Sequence, residues 1–281
     1  MDSREASSGL KGLASRKIAV NGINMNVVVA GDGPRVLLVH GYPDSHDVWR
    51  HQIPALVAAG YRVIAPDTRG CGDTDMSPNV ADYRVDNLVA DLIALLDVLR
   101  IDKVRLVAHD WGAAMCWQLV LKRPERVERY IPMSVGHPNA YAAGGVEQKL
   151  KGYYILLIQL RGFAEWFARA FDWFGFRLLT HYPPETDNWI ARQSRPGRLT
   201  AGMNYYRANL HMIFAKAAPS ATVPVYGLWS SGDSFLAEKQ MIASEKFVAA
   251  PWRYSRIEGA THWMQLDAPE KVNSVLLDYL R

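Results

Sequence analysis

The chain has 281 residues, enough for one large α/β domain with room for an inserted subdomain. Its residues are 49% hydrophobic, so a sizeable core can form, and a net charge of +4 without a dense Lys/Arg block gives little reason to expect a nucleic-acid partner. No run is long and apolar enough for a membrane span, the polar start at residues 1–16 lacks the apolar centre of a signal peptide, and the only cysteines, Cys71 and Cys116, lack metal-like spacing and fit free thiols in a reducing, cytoplasmic compartment.

The elements follow in chain order. Residues 17–20 and 23–30 read as strands joined by Asn21-Gly22, a strong hairpin signal. After the turn Gly31-Asp32-Gly33-Pro34, residues 35–40 form a buried strand that ends in His40-Gly41-Tyr42-Pro43. The next helix takes Asp44 or Ser45 as N-cap and buries Trp49, Ile53, Leu56 and Val57. Residues 61–65 are a strand, 66–72 a long turn and 85–99 an amphipathic helix. An apolar run at 104–107 suits a fully buried strand, 112–121 a helix, and 127–135 another strand.

That rhythm breaks at about residue 139. From there to 217 the apolar spacing is mostly helical, and this stretch holds 15 of the chain's 30 aromatic residues. It reads as an inserted helical cap. Strand and helix then alternate again: 223–229, 236–247, 252–257 and 269–280. The expected organisation is a loose tail at 1–16, a core from 17–138 and 218–281, and a cap at 139–217. Alternating elements imply a mostly parallel sheet, here of eight strands, with helices on both faces. Ligands bind beyond the carboxyl ends of such strands.

Ala108-His109-Asp110-Trp111-Gly112 joins the buried strand to its helix. A strand-to-helix turn this tight needs small flanking residues and lifts its apex out of the sheet, the arrangement of a nucleophile elbow. An aspartate at a helix start is otherwise an ordinary N-cap; in this small-x-Asp-x-small setting Asp110 reads as a nucleophile. The helix dipole keeps its carboxylate ionised. Attack on an ester or amide carbonyl would yield a high-energy anhydride, whereas attack on saturated carbon yields an ordinary ester. The residue therefore favours opening an epoxide or expelling a halide. The ester must then be hydrolysed by a general base and water. His262, in Gly259-Ala260-Thr261-His262-Trp263 after the last strand, is the candidate base. Asp233, after the preceding strand, is the candidate to orient it.

His40-Gly41-Tyr42-Pro43, Arg69-Gly70-Cys71-Gly72, His109-Asp110-Trp111-Gly112, Gly232-Asp233 and Gly259-Ala260-Thr261-His262-Trp263 resemble the motifs of α/β-hydrolase-fold epoxide hydrolases and their dehalogenase relatives. The resemblance covers nearly the whole chain from residue 17. It implies an α/β-hydrolase fold, an oxyanion hole from the backbone N–H groups of Tyr42 and Trp111, and a cis bond before Pro43. It also implies two cap tyrosines that supply a proton to the epoxide oxygen. Gly152-Tyr153-Tyr154-Ile155 selects Tyr154 and Asn204-Tyr205-Tyr206-Arg207 selects Tyr206, with Tyr153 and Tyr205 as neighbouring alternatives. Tyr42, Trp111 and Tyr205 are further expected to contact substrate.

Three departures from the pattern stand out: Ala108 for a common Gly, Ser230 in the loop before Asp233, and Leu160-Arg161 for a pair that often holds Pro. Haloalkane dehalogenases commonly carry Asn where Tyr42 stands. Fluoroacetate dehalogenases carry Arg where Trp111 stands and His where Tyr154 stands. Of the remaining histidines, His109 is expected to support the elbow, His46 to lie at the surface, and His51 and His211 to pack or lie at the surface. His137, just before the cap, and His181, within it, could be either. The sequence thus reads as an epoxide hydrolase acting on a small apolar epoxide with water, without cofactor or metal, as a monomer or homodimer. A haloalkane dehalogenase-like hydrolase and a ligand-binding protein on the same scaffold are the alternatives.

Overall fold

The computed structural model describes residues 14–214 and 217–281. Eight strands form one sheet: β1 (Ser15–Val20), β2 (Ile23–Ala30), β3 (Arg35–Val39), β4 (Arg62–Pro66), β5 (Val104–His109), β6 (Val127–Met133), β7 (Val225–Gly232) and β8 (Trp252–Thr261). Their order is β1-β2-β4-β3-β5-β6-β7-β8. β2 pairs antiparallel with β1 and β4, and the other pairings are parallel. At the β1–β2 turn Asn21 and Gly22 have φ of 45° and 78°, the left-handed pair that a two-residue hairpin requires. β1 takes in Ser15 and Arg16, which were assigned to the tail, because they pair with Val28 and Val27. Residues 1–13 of that expected tail lie outside the described residues.

Strands flanked by parallel neighbours are covered on both faces. Val36–Val39 and Leu106–Ala108 are accordingly shielded from solvent. Helix α1 (Gln52–Ala58) packs on α12 (Pro269–Tyr279), and α2 (Val85–Val98) on α3 (Trp111–Lys122). The single helix expected after β3 is two pieces, a 3₁₀ turn at His46–Trp49 and then α1. Pro54 explains the break: it has no N–H and would clash with a carbonyl four residues back, so α1 restarts two residues before it. Helix α10 (Glu238–Ala243) likewise starts later than expected. Asp233 Oδ1 accepts the N–H groups of Phe235 and Leu236, which holds that segment as a loop. A short helix α11 (Met264–Asp267), not foreseen, follows His262.

The chain runs from β3 through α1 to β4, then back through α2 to β5 on the other side of β3. The winding reverses between β3 and β5, where Val39 lies opposite Ala108. At such a switch point the loops leaving the strands part and open a crevice. His40–Pro43 and Asp110 lie at that crevice.

Between β6 and β7 the described chain is helical: α4 (Pro138–Ala142), α5 (Gly145–Lys151), α6 (Tyr154–Ile158), α7 (Phe163–Thr180), α8 (Pro183–Gln193) and α9 (Arg198–Ala208). α7 is broken at Ala170–Trp173, where Phe171, Asp172 and Trp173 have φ of 50°, 56° and 61°. Polar contacts tie these helices to the sheet's loops. Trp189 Nε1 donates to Asp44 at 3.0 Å and Arg192 Nη1 to Ser45 at 2.7 Å. Gly202 of α9 lies against the Tyr42 ring so closely that a Cβ there would collide with it. No helix among the described residues is long and apolar enough to cross a membrane.

Candidate active site

Asp110 stands between β5 and α3 with φ 52° and ψ −124°. Few residues other than glycine adopt such a conformation, and holding it stores backbone strain. Its neighbours make the turn possible. A Cβ at Gly41 would strike the Asp110 side chain, and one at Gly112 would strike the carbonyls of Val39 and His40. The small residues flanking the apex are therefore steric requirements.

The Asp110 carboxylate is nearly buried, at 9% exposure. Its Oδ1 accepts the Tyr42 N–H at 2.9 Å, and its Oδ2 lies 3.6 Å from His262 Nε2. Burial pushes its pKa up, but the neighbouring His262 imidazolium, with help from the Trp111 N–H, holds it below the ordinary carboxylate range. Tyr42 precedes a cis proline bond, as the motif resemblance implied.

His262 Nδ1 lies 2.9 Å from Asp233 Oδ2. Burial opposes a charge on the imidazole, yet the charge and hydrogen bonds of Asp233 and Asp110 outweigh it and lift His262 to about 10. Asp233 is itself buried. Burial raises its pKa, and the neighbouring His262 with two backbone N–H groups brings it below its ordinary value. At rest the three residues are thus carboxylate, imidazolium and carboxylate. His109 packs against His262, with ring centroids 4.5 Å apart. Burial, reinforced by His262, drops its pKa to about 3. His109 is therefore neutral; its Nε2 is 2.9 Å from the His262 carbonyl and its Nδ1 3.2 Å from Gln265 Nε2.

Tyr154 and Tyr206 meet edge to face, 5.7 Å between centroids. Tyr206 also stands edge-on to Trp111 at 5.1 Å. Burial first, and then the charge of Asp110 among other neighbours, pushes both phenols well above their ordinary pKa, so both keep their protons. Tyr153 turns away and is 57% exposed. Tyr205, expected at the substrate, lines neither of the cavities beside Asp110. Its hydroxyl donates to the Arg69 carbonyl at 2.6 Å and lies 3.0 Å from the Thr68 hydroxyl, so it braces the turn after β4. Adjacent helical residues point about 100° apart, so only one of Tyr205 and Tyr206 can face the site.

Two cavities meet at Asp110, Tyr154 and Tyr206, one of about 860 Å³ and one of about 70 Å³. The larger follows one face of α3 through Trp111, Ala114, Gln118 and Leu121. At 1.5 Å per residue that face is about 15 Å long. The smaller is lined by Tyr42, Phe235, His262 and Trp263. Trp111 and Tyr42, both expected to contact substrate, thus line opposite cavities.

Three placements differ from expectation or were missed. Asp44 does not cap the following helical turn; Ser45 does, accepting the Asp47 N–H at 3.4 Å. The Asp44 carboxylate is buried between two indoles, accepting Trp189 Nε1 at 3.0 Å and Trp263 Nε1 at 3.1 Å. Burial lifts it to about 7. The only sequence signal for this role was a second acidic residue close behind the His40–Pro43 motif. His46 is not at the surface; it is buried, with Nδ1 2.8 Å from Asp67 Oδ1. Phe235 stands 5.0 Å from the His262 ring, and nothing in its sequence context marked it.

Comparison with known proteins shows the family. The family described as alpha/beta hydrolase fold matches residues 34–269. Epoxide hydrolase 2 of Siraitia grosvenorii is 33% identical, over 94% of this chain and 97% of that protein. An AB hydrolase superfamily protein of Bacillus subtilis, YfhM, is 32% identical over 97% of this chain and 99% of its own length. Among solved structures, epoxide hydrolase VrEH1 from Vigna radiata superposes with a TM-score of 0.83 at 30% identity, covering 97% of this chain and 99% of that one. The chain therefore belongs to the α/β-hydrolase family, and within it stands with the epoxide hydrolases.

Proposed function

We propose that this protein opens an apolar epoxide to a vicinal diol through an ester on Asp110. The observation that carries the reading is the meeting of Asp110 with two protonated phenols at the junction of the cavities. Asp110 Oδ1 is engaged by the Tyr42 N–H, so Oδ2 is the attacking atom. As Oδ2 bonds to an epoxide carbon, that carbon's bond to oxygen breaks. The departing alkoxide takes a proton from Tyr154 or Tyr206, which an unaided alkoxide leaving group needs.

The ester then holds Oδ1 as its carbonyl oxygen, already at the Tyr42 N–H. With the Asp110 charge consumed, the His262 imidazolium gives up its proton to the tyrosinate, which becomes a phenol again, and the neutral imidazole then takes a proton from water as that water's oxygen attacks the ester carbon. The N–H groups of Tyr42 and Trp111 stabilise the oxyanion. Collapse breaks the bond between the ester carbon and the diol oxygen, which takes the remaining proton of the attacking water; the diol leaves, Asp110 is again a carboxylate, and Asp233 keeps the imidazole aimed. The helices of residues 139–217 act as a cap that supplies the phenols and excludes solvent. The unequal cavities suit an epoxide with one long and one short apolar substituent. Cys71 and Cys116, buried free thiols, are in keeping with a reducing, cytoplasmic setting.

The test is turnover on styrene-oxide-like, terminal aliphatic and long-chain epoxides beside a haloalkane panel. Diol formation that collapses in Tyr206→Phe supports the proposal. Halide release that survives Tyr206→Phe, without diol formation, overturns it in favour of a dehalogenase.

A further inference from the structure

The outer face of the helices between β6 and β7 is unlike the rest of the surface. Ten of the thirteen large apolar side chains exposed among the described residues fall between Val146 and Leu178. They recur every three to five residues along α5, α6 and α7, and include Leu150 (68% exposed), Leu156, Leu160, Trp166 (58%), Phe171 (86%) and Phe174. The inner face of the same helices is apolar too: Tyr154, Ile155, Ile158, Phe176 and Leu179 line the cavities. A helix apolar on all sides is one covered on all sides. A patch of this extent marks an interaction surface. Phe171 is presented outward by three successive residues at positive φ, a strained backbone that ordinary packing does not reward.

Charge distinguishes the possible occupants. Lys149, Arg161 and Arg169 are exposed along this stretch and enter no ion pair among the described residues. Arg177 is paired with Asp187, and Glu165 is taken up by Arg207. Glu147 and Asp172 are the remaining exposed acids there. The face thus carries three unpaired bases against two unpaired acids among Trp, Phe and Leu side chains. A second copy docking on it would leave the excess bases without partners. A surface of anionic headgroups over acyl chains would satisfy both the bases and the aromatics.

We propose that the outer face of α5–α7 binds an anionic lipid surface, with Trp166, Phe171 and Phe174 entering the interface and Lys149, Arg161 and Arg169 contacting headgroups. Attachment of this kind places the helices that line the cavities between lipid and catalytic core. It does not depend on which reaction the cavities support.

The test is co-sedimentation of the full chain with vesicles of phosphatidylcholine mixed with phosphatidylglycerol, and with phosphatidylcholine alone. The protein pellets with the mixed vesicles, and raising the salt releases it. Trp166→Ser with Phe171→Ser abolishes pelleting while circular dichroism and turnover of a short soluble epoxide stay unchanged. Lys149→Gln, Arg161→Gln and Arg169→Gln together weaken it by on the order of a hundredfold. Lys239→Gln, Lys246→Gln and Lys271→Gln remove equal charge from elsewhere and leave it within about twofold. Failure to pellet with mixed vesicles, or equal loss from the two sets of lysine and arginine changes, overturns the proposal. So does a dimer in sedimentation equilibrium that Trp166→Ser with Phe171→Ser dissociates while vesicle binding is absent, which would assign the face to a second copy.

Discussion

His262 Nε2 stands 3.6 Å from Asp110 Oδ2, an ion-pair distance that steadies the carboxylate without tying up its oxygen. The relationship is reciprocal. Asp110 helps keep His262 charged, and His262 helps keep Asp110 ionised. On the proposed mechanism, consuming the Asp110 charge in an ester loosens the imidazolium proton, which passes to the tyrosinate and leaves a base where the next step needs one.

Asp110→Asn imitates the ester electrostatically, so His262 should titrate at a lower pH in that variant than in the wild type, where it lies at about 10. Imidazole NMR across the alkaline range measures this, and an unchanged titration would contradict the coupling. Stability follows with a definite sign. His262 is raised above its ordinary 6.5, so the stability it contributes is complete below about 6.5 and is lost as pH rises through about 10. Asp233→Asn should flatten that alkaline fall in Tm.

Tyr154→Phe and Tyr206→Phe keep the ring packing and remove the proton. Each should lower the rate of ester formation by about a hundredfold, the usual scale for a lost general acid. Rapid-quench measurement of the first turnover separates this step from hydrolysis, which should be little affected. Wild-type rates in both variants would remove the phenols from the mechanism.

Gly112→Ala places a methyl against the carbonyls of Val39 and His40. Overpacking of this kind costs about 1–3 kcal/mol, so Tm should fall by several degrees in calorimetry. An unshifted Tm would show that the turn has room.

Asp44 ties the Trp263 indole, next to His262, to Trp189 of α8. Asn can accept from those indoles only through its single oxygen, so Asp44→Asn should lower Tm through a poorly satisfied N–H, at about 1–3 kcal/mol. The pH dependence is distinctive. Burial raises Asp44 from 3.8 to about 7, so the wild type loses stability as pH rises between those values. The Tm gap between wild type and Asp44→Asn should therefore narrow from about pH 4 to about pH 7. A gap constant across that range would mean that Asp44 is not raised.

Much of the fold was legible because alternation between buried strands and amphipathic helices has two clear periods. Asn21-Gly22 and the turn around Asp110 were readable for a different reason, since each demands particular small or left-handed residues. Element ends were less so: Pro54 divided a helix that periodicity alone ran together. Motif order alone brought Asp110, Asp233 and His262 forward as candidates, and the structure places the three side by side. Tyr154 over Tyr153 rested on the motif resemblance alone, because neighbouring residues on one helix differ in direction rather than in composition. Tyr205 misled for the same reason, being an aromatic beside the one that faces the cavity. Asp44 and His46 were unreadable because their partners, Trp189, Trp263 and Asp67, are brought to them from distant parts of the chain.

The most direct measurement is a single turnover of excess enzyme on an epoxide in heavy-oxygen water, followed by mass spectrometry of the diol and of the peptide that contains Asp110. If Asp110 forms the ester, the first diol carries ordinary oxygen and the label appears in the Asp110 carboxylate. Label in the first diol with none in that peptide would mean that water attacks the epoxide directly, and would contradict the ester mechanism.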